Sequence, residues 1–299
     1  MRLEGAVQVF TTARRWAKAT GLIRPLRPLS PWAGRIIYRL SVGVEPWQMI
    51  HGHQMKLADG PNYPPLEMLT GNWERDTVRL FERTLRPGDV VLDLGAHVGY
   101  FTLIAARCVG AEGRVYAFEP EPSNYRLLQS NVVRNGYRHV ITVPLAVSDR
   151  SGTAELRTSG LDNGQHSLYA TGRPERRRQL VRTIRLAEFL ATEGIARVDW
   201  IKMDLEGAEE AALRGLGTWL QECPALRMVL EFCPIVLRAA GTDPLALLDG
   251  LRGCGFRFFL YDAQGTYPLD DAGCRRLLAH LDQPGSYKNL LCIKGAWSG

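Results

Sequence analysis

An apolar, strand-like run leads into two glycines that suit close approach to a ligand. The run Val90–Leu94 is followed by Gly95 and Gly99 and then by a helical pattern. Glycine lets the backbone approach a bound molecule at the carboxyl end of a strand. Glu119 stands twenty positions after Gly99, at the end of the next predicted strand, where a carboxylate can accept hydrogen bonds from two ribose hydroxyls. The spacing predicts a site for an adenosine-containing cofactor.

One position in the turn separates two kinds of adenosine cofactor. A dinucleotide fingerprint has a glycine two places after its first, so that the backbone can touch the pyrophosphate. His97 occupies that place in this chain. The turn therefore favours a cofactor without phosphates over a dinucleotide.

Strand-like and helix-like segments alternate around this turn. Such alternation predicts an α/β fold with a doubly wound, Rossmann-like, mostly parallel sheet. A final apolar run, Leu290–Ile293, is expected to pair antiparallel as an edge hairpin. The other predicted strands are Val90–Leu94, Val115–Phe118, Val140–Ala146, Trp200–Met203, Met228–Phe232 and Phe256–Tyr261, and the predicted helices are Tyr100–Cys108, Ser123–Asn135, Ala208–Leu220 and Pro244–Cys254.

Residues 150–185 interrupt the alternation and are interpreted as an insertion. Thr153–Thr158 and Leu180–Ile184 are predicted as short strands around a loop rich in glycine, asparagine and arginine. Loops at the ligand edge of a scaffold commonly carry specificity. The run from Arg173 to Arg178 is interpreted as a solvated loop, unless the acceptor carries phosphate.

The N-terminal segment holds most of the net charge. Residues 1–40 contain eight Lys/Arg and one acid, which gives +7, whereas the rest of the chain sums to −1. An apolar stripe that includes Leu3, Val7 and Phe10 predicts an amphipathic helix, and after a proline-rich turn a shorter stripe at Ile36, Ile37 and Leu40 predicts a second one. We expect the first helix to pack on the body as a lid or dimer element, with an anionic membrane surface as the alternative. The predicted domains are an N-terminal basic helical extension over 1–71 and a cofactor-binding domain over 72–299.

Composition excludes several classes of protein. The 299 residues are 45% hydrophobic and 23% charged, as in globular proteins. No uncharged apolar run is long enough to span a membrane, and the N-terminus lacks a secretory signal pattern. The six cysteines form no C-x-x-C pair, which argues against a zinc site or a disulfide framework. A cytoplasmic protein with reduced thiols is expected, and no nucleic acid partner is expected because the basic residues are not spread over the predicted active face.

Four blocks of the sequence together resemble the FkbM family of S-adenosylmethionine-dependent methyltransferases. The blocks are Asp93–Gly99 (DLGAHVG), Phe118–Pro120 (FEP), Ala146–Asp149 (AVSD) and Ile201–Glu209 (IKMDLEGAE), and they occur in family order within residues 72–294. The clearest departure is His97, where the family more often has asparagine. The resemblance implies a class I methyltransferase-like fold and S-adenosylmethionine as cofactor.

The resemblance also implies roles for individual residues. The methionine end of the cofactor would lie over the glycine turn, with Asp93 below the turn near its amino group, and Glu74 would help to cover the cofactor. Glu119 would hold the ribose, and Ser148 and Asp149 would approach the adenine at the end of the third strand. The local alternatives are that Asp93 caps the following helix and that Ser148 and Asp149 form a turn. The implied cofactor site comprises Glu74, Asp93, Gly95, Ala96, His97, Gly99, Tyr100, Phe101, Glu119, Pro120, Ser148, Asp149 and Asp204.

Methyl transfer from a sulfonium is an in-line displacement, so the enzyme must orient the acceptor and remove its proton. Asp204 and Glu231 end two strands beside the cofactor crevice, and Lys202 shares a strand face with Asp204. The two acids are expected either to bind a divalent metal ion or to supply a base, and an ion pair with Lys202 is the structural alternative. His166, in the insertion, is the histidine best placed to contact an acceptor.

The favoured function is O-methylation of a hydroxyl on a sugar, glycan or secondary metabolite, a substrate class that the resemblance supplies. An N-methyltransferase acting on an amine or peptide is the first alternative. Its N/D-P-P-[FYW] signature is absent after the fourth strand, where Asp204–Gly207 stands. The second alternative is a non-catalytic cofactor-binding partner subunit.

Overall fold

The computed structural model describes residues 47–57, 66–159 and 164–296. The chain divides into two compact units between Trp73 and Glu74. The described part of the first unit contains the antiparallel strands β1 (Gln48–Ile50) and β2 (His53–Met55) and the short helix α1 (Leu66–Leu69). The predicted amphipathic helices within residues 1–40 lie outside the described residues, and the predicted domain division stays a prediction.

The second unit alternates strands and helices. The helices Pro122–Arg134 and Pro244–Gly253 begin at capping side chains: Glu121 accepts hydrogen bonds from two amides of the first, and Asp243 does the same for the second. Its strands are β3 (Val90–Leu94), β4 (Arg114–Phe118), β5 (Val140–Val143), β6 (Ala146–Ser148), β7 (Gly152–Ser159), β8 (Glu175–Arg185), β9 (Trp200–Met203), β10 (Leu226–Phe232), β11 (Arg257–Tyr261), β12 (Thr266–Leu269) and β13 (Lys288–Lys294). Its helices are α2 (Arg75–Thr84), α3 (Tyr100–Val109), α4 (Pro122–Arg134), α5 (Leu186–Thr192), α6 (Glu209–Leu216), α7 (Thr218–Glu222), α8 (Pro234–Ala239), α9 (Pro244–Gly253) and α10 (Asp271–Leu281).

Eight strands form one sheet in the order β12-β11-β13-β10-β9-β3-β4-β5. The five strands from β10 to β5 are parallel, so their carboxyl ends share one edge. The chain leaves β3 in one direction toward β4 and β5 and later returns to the other side of β3 with β9 and β10. This reversal makes the crevice between β3 and β9 the ligand edge expected of such a sheet. The prediction of a doubly wound α/β fold is confirmed.

The final strand is placed differently from the prediction. β13 lies between β10 and β11 and is antiparallel to both, so it is an interior strand and not an edge hairpin. Leu290–Ile293 is fully buried on both faces, as a central strand requires. The edge on this side of the sheet is β12, whose residues are mostly exposed.

Two further predicted elements are split in the structure. The strand predicted over Val140–Ala146 ends at Val143 because Pro144 has no amide to continue the ladder, and Ala146 starts β6 in a separate sheet. The helix predicted over Ala208–Leu220 breaks at Gly217, whose φ of 57° is left-handed.

The insertion forms a sheet of its own. β7 pairs antiparallel with β8, and β8 pairs parallel with β6, in the order β6-β8-β7. Arg176, Arg177 and Arg178 therefore belong to an extended strand and not to the predicted loop, although their side chains are exposed as expected. None of the helices in the described residues has the length and apolar character needed to cross a membrane.

Candidate active site

The glycine turn packs directly against the backbone of Asp204, the residue that follows β9. Gly95 and Gly99 have φ values of 83° and 93°, in the left-handed region that favours glycine. The amides of Gly95 and Ala96 donate to the carbonyl of Phe118 at 3.1 and 2.9 Å. A Cβ atom on Gly95 would clash with the carbonyl oxygen of Asp204. The turn thus requires glycine where β3, β4 and β9 meet.

Glu119 is held by the backbone. Its Oε2 accepts from the amide of His97 at 2.9 Å, and its Oε1 accepts from the amide of Glu121 at 2.8 Å. Each carboxylate oxygen keeps a second lone pair for a ligand hydroxyl. Burial raises the pKa of Glu119 to about 8, against the two backbone hydrogen bonds, which lower it. A rigid, buried acceptor of this kind suits a pair of ribose hydroxyls.

Asp93 lies beneath the turn and joins strand to helix. Its Oδ2 accepts from the Oγ1 of Thr102, in the first turn of α3, at 2.5 Å. Burial raises the pKa of this carboxyl, while Lys202 lowers it and Asp204 raises it. The structure therefore gives Asp93 the helix-anchoring contact and also places it in the electrostatic field of Lys202.

Lys202 forms an ion pair with Asp204, which is the structural alternative that the sequence left open. The Nζ of Lys202 lies 3.0 Å from the Oδ2 of Asp204 and 4.9 Å from the ring centroid of Phe101. Desolvation opposes the charge on buried Lys202, but Asp204, Glu74, Asp93 and Glu231 together raise its pKa. The single ammonium group of Lys202 therefore interacts electrostatically with four carboxyl groups.

A third acid joins the two that the sequence singled out. Ligand oxygens of Asp204, Glu206 and Glu231 all lie within 4.8 Å of one another. Burial raises the pKa of Glu206 to about 8, and burial with its acidic neighbours raises that of Glu231. Glu206 has a left-handed φ of 50°, just before Gly207. Glu206 could have been found from the sequence, because it lies two residues after Asp204 on the loop that follows β9.

Carboxylate oxygens are ligands for hard cations such as Mg²⁺ or Mn²⁺, so the three acids suit such an ion by donor type. Two of them already have cationic partners, however. Asp204 pairs with Lys202, and Oε2 of Glu206 lies 2.5 Å from Nη1 of Arg173. The charge of the acids is therefore partly balanced by the chain itself.

The insertion contacts this edge at two points. The hydroxyl of Ser167 donates to the carbonyl of Glu206 at 2.6 Å, beside the Arg173 ion pair. Farther along, Arg177 pairs with buried Glu121 at 3.1 Å. His166 belongs to the second point: its Nδ1 accepts from the amide of Ser159 at 3.1 Å, and the charges acting on it are Glu121 and Arg177. Burial lowers the pKa of His166, and its role toward an acceptor stays a prediction.

Ser148 and Asp149 lie in and just after β6, not at the end of the third strand of the main sheet. The Oδ2 of Asp149 is 3.5 Å from Arg214 on α6, and its Oδ1 is 3.3 Å from the hydroxyl of Ser148. Their assignment to the adenine, and that of Pro120 to the cofactor, remain predictions.

Glu74 is placed beside the Lys202 cluster. Its Oε2 accepts from the Oγ1 of Thr77 at 3.2 Å and from the Nδ2 of Asn289 at 2.5 Å. Burial raises its pKa, and Lys202 lowers it. Asn289, from the interior strand β13, was not found by sequence reasoning.

Comparison with known proteins identifies related sequences over most of this unit. Residues 93–258 match the model of the methyltransferase FkbM domain. The 31-O-demethyl-FK506 methyltransferase FkbM of Streptomyces tacrolimicus is 30% identical over 58% of this chain and 74% of its own. The hexuronic acid methyltransferase AglP of Haloferax volcanii is 28% identical over 57% of this chain and 64% of its own. Among solved structures, a methyltransferase FkbM from Methylobacillus flagellatus KT is 15% identical, covers 88% of this chain and 60% of its own, and has a TM-score of 0.42.

Proposed function

The chain belongs to the FkbM family of methyltransferases, and we propose that it transfers the methyl group of S-adenosylmethionine to a hydroxyl group of a sugar, glycan or secondary metabolite. The observation that carries the cofactor assignment is Glu119, held between two backbone amides beside the Gly95 turn. The relatives named for a hexuronic acid and for the 31-O position of FK506 support an oxygen acceptor.

In this proposal the cofactor lies along the carboxyl edge of the sheet. Glu119 accepts hydrogen bonds from the ribose hydroxyls, and the methionine portion lies over the turn from Gly95 to Gly99. The backbone at His97 is already committed, because its amide donates to Glu119. That commitment agrees with a cofactor that needs no pyrophosphate contact at this position.

Asp204 is proposed as the general base. Lys202 engages Oδ2 and fixes the carboxylate, whose side chain is 27% exposed, so Oδ1 is oriented to take a proton from the acceptor. When bound, S-adenosylmethionine would supply a sulfonium methyl group, with the neutral thioether S-adenosylhomocysteine as the leaving group. Asp204 would accept the proton of the acceptor O–H while the acceptor oxygen bonds to the methyl carbon and the electrons of the broken C–S bond stay on sulfur. We propose that this route needs no metal ion, because Lys202 and Arg173 already pair with two of the three acids.

A substrate screen tests the function. The protein is incubated with methyl-labelled S-adenosylmethionine and a set of hydroxylated sugars, glycans and metabolites, and products are sought by mass spectrometry as a labelled methyl group on oxygen. Transfer that is lost in Asp204→Asn supports the proposal. Label found only on amines would favour an N-methyltransferase, and cofactor binding without transfer to any compound would favour a non-catalytic subunit.

A further inference from the structure

Glu74 has an unusual backbone conformation, and its carboxylate does not cap the helix that it precedes. It precedes α2 with a left-handed φ of 41°, yet its carboxylate caps no amide of that helix. A non-glycine residue in this region is uncommon and is retained when the surroundings hold it there. The side chain instead turns toward Thr77 and Asn289.

The hydrogen bonds around Glu74 have a defined direction. The hydroxyl of Thr77 has a single proton, which it donates to Oε2 of Glu74. Thr77 must therefore accept from its other two neighbours, the hydroxyl of Tyr261 at 2.9 Å and the Nδ2 of Asn289 at 3.3 Å. Oε2 of Glu74 thus accepts from two donors, the hydroxyl of Thr77 and the Nδ2 of Asn289. Within the described part of the chain, no donor engages Oε1, and Glu74 is only half-buried.

Asn289 is placed by the interior position of β13. It lies directly opposite Glu231 in the antiparallel register of β13 and β10, so both side chains share a face of the sheet. The residue is nine-tenths buried, and among the described residues its Oδ1 has no hydrogen-bond partner. An amide that leaves one buried polar atom unsatisfied is costly. A contribution to folding stability therefore does not explain why this position is asparagine. The hydrogen bond from its Nδ2 to Oε2 of Glu74 does explain it.

The charges around Glu74 favour a cationic ligand. Lys202 faces four carboxyl groups, those of Asp204, Glu74, Asp93 and Glu231. Among the described residues no donor engages Oε1 of Glu74, so beside this acidic cluster it suits an ammonium group, which donates three hydrogen bonds and offsets negative charge. Resting on the proposed function, we infer that Asn289 is a positioning residue: it holds Oε2 of Glu74 so that Oε1 binds the ammonium of the methionine portion of S-adenosylmethionine.

Two ligands isolate that ammonium group. S-adenosylhomocysteine carries it, and 5′-S-(3-carboxypropyl)-5′-thioadenosine is the same molecule without the amino group. Calorimetry on the full chain measures the preference between them. We expect the wild type to prefer S-adenosylhomocysteine and Asn289→Leu to bind it about tenfold or more weakly, with little change for the deaminated ligand. Asn289→Asp keeps the shape but removes the donor, so it should show the same loss if Asn289→Leu does not fold.

A matched control separates positioning from general damage. Asn135 ends α4 and donates its amide to the carbonyl of Asn131 at 2.8 Å, away from this cluster. Asn135→Leu should keep the wild-type preference. Equal weakening of both ligands in the Asn289 variants, or unchanged binding of both, would overturn the positioning role. A wild type that binds both ligands equally overturns the ammonium contact, whereas a wild type that binds neither instead removes the proposed cofactor.

Discussion

Two acids on either side of β3 are held in opposite ways. Glu119, after β4, receives a backbone amide on each carboxylate oxygen. Asp204, after β9, is held by the side chain of Lys202 and lies among other carboxyl groups. The first arrangement gives a fixed acceptor without a cation, and the second gives a carboxylate paired with a cation inside an acidic cluster. We propose that this difference separates a residue that binds the ribose of the cofactor from one that takes part in the chemical step.

We expect the largest effect on turnover from replacing Asp204, the acid held by the side chain of Lys202. Asp204→Asn keeps the shape of the residue but removes the base, so turnover with the acceptor found in the screen should fall about 10²–10⁴-fold. Cofactor affinity should change little in the same variant. The control is Asp243→Asn, at the start of α9, where asparagine caps the helix equally well. Near-normal turnover in Asp204→Asn would reduce Asp204 to a structural partner of Lys202.

Replacing Lys202 tests whether its positive charge stabilises the surrounding cluster of carboxyl groups. Lys202→Met leaves buried acids without their ammonium, so the free energy of unfolding in urea should fall by about 3–5 kcal/mol. Arg197→Met is the matched control, because Arg197 and Asp199 form a pair at 3.0 Å in which the arginine is 66% exposed. Arg197→Met should lower the free energy of unfolding by less than about 1 kcal/mol. Similar losses in the two variants would contradict the central role of Lys202.

Glu119, the acid held by backbone amides, should make the free energy of unfolding depend on pH. Burial raises the pKa of Glu119 to about 8, whereas an unfolded glutamate titrates near about 4.3. The folded protein then binds more protons than the unfolded chain between these values, so its stability falls as pH rises through that window. Glu119→Gln should make the fall shallower, by at most about 1.4 kcal/mol per pH unit. Urea unfolding from pH 5 to 8 measures the slope, and exposed Glu112→Gln should leave it unchanged.

The smallest expected effect is that of metal removal. Because Lys202 and Arg173 already balance two acids, turnover should persist after treatment with EDTA. Loss of activity that magnesium or manganese restores would instead assign Asp204, Glu206 and Glu231 as metal ligands.

The same contrast explains what the sequence could predict. The contacts of Glu119 come from His97 and Glu121, within or next to the sequence blocks that resemble the family, so a local pattern was enough to predict this arrangement. The Lys202 cluster draws in Asn289, which is 215 positions from its partner Glu74. Its place depends on β13 being interior, which pairing and not periodicity decides. Glu206 lay inside a recognised block, but only the turn that leaves β9 brings its carboxylate to Glu231.

Calorimetric titration with S-adenosylhomocysteine tests the central claim most directly, because it needs no acceptor. The wild type should bind this ligand and should not bind nicotinamide dinucleotides. Glu119→Ala should weaken the binding by about 1.5–3 kcal/mol, the scale of hydrogen bonds to a charged group. Unchanged affinity in Glu119→Ala, with the protein still folded, would contradict the assignment of Glu119 to the ribose and with it the proposed position of the cofactor.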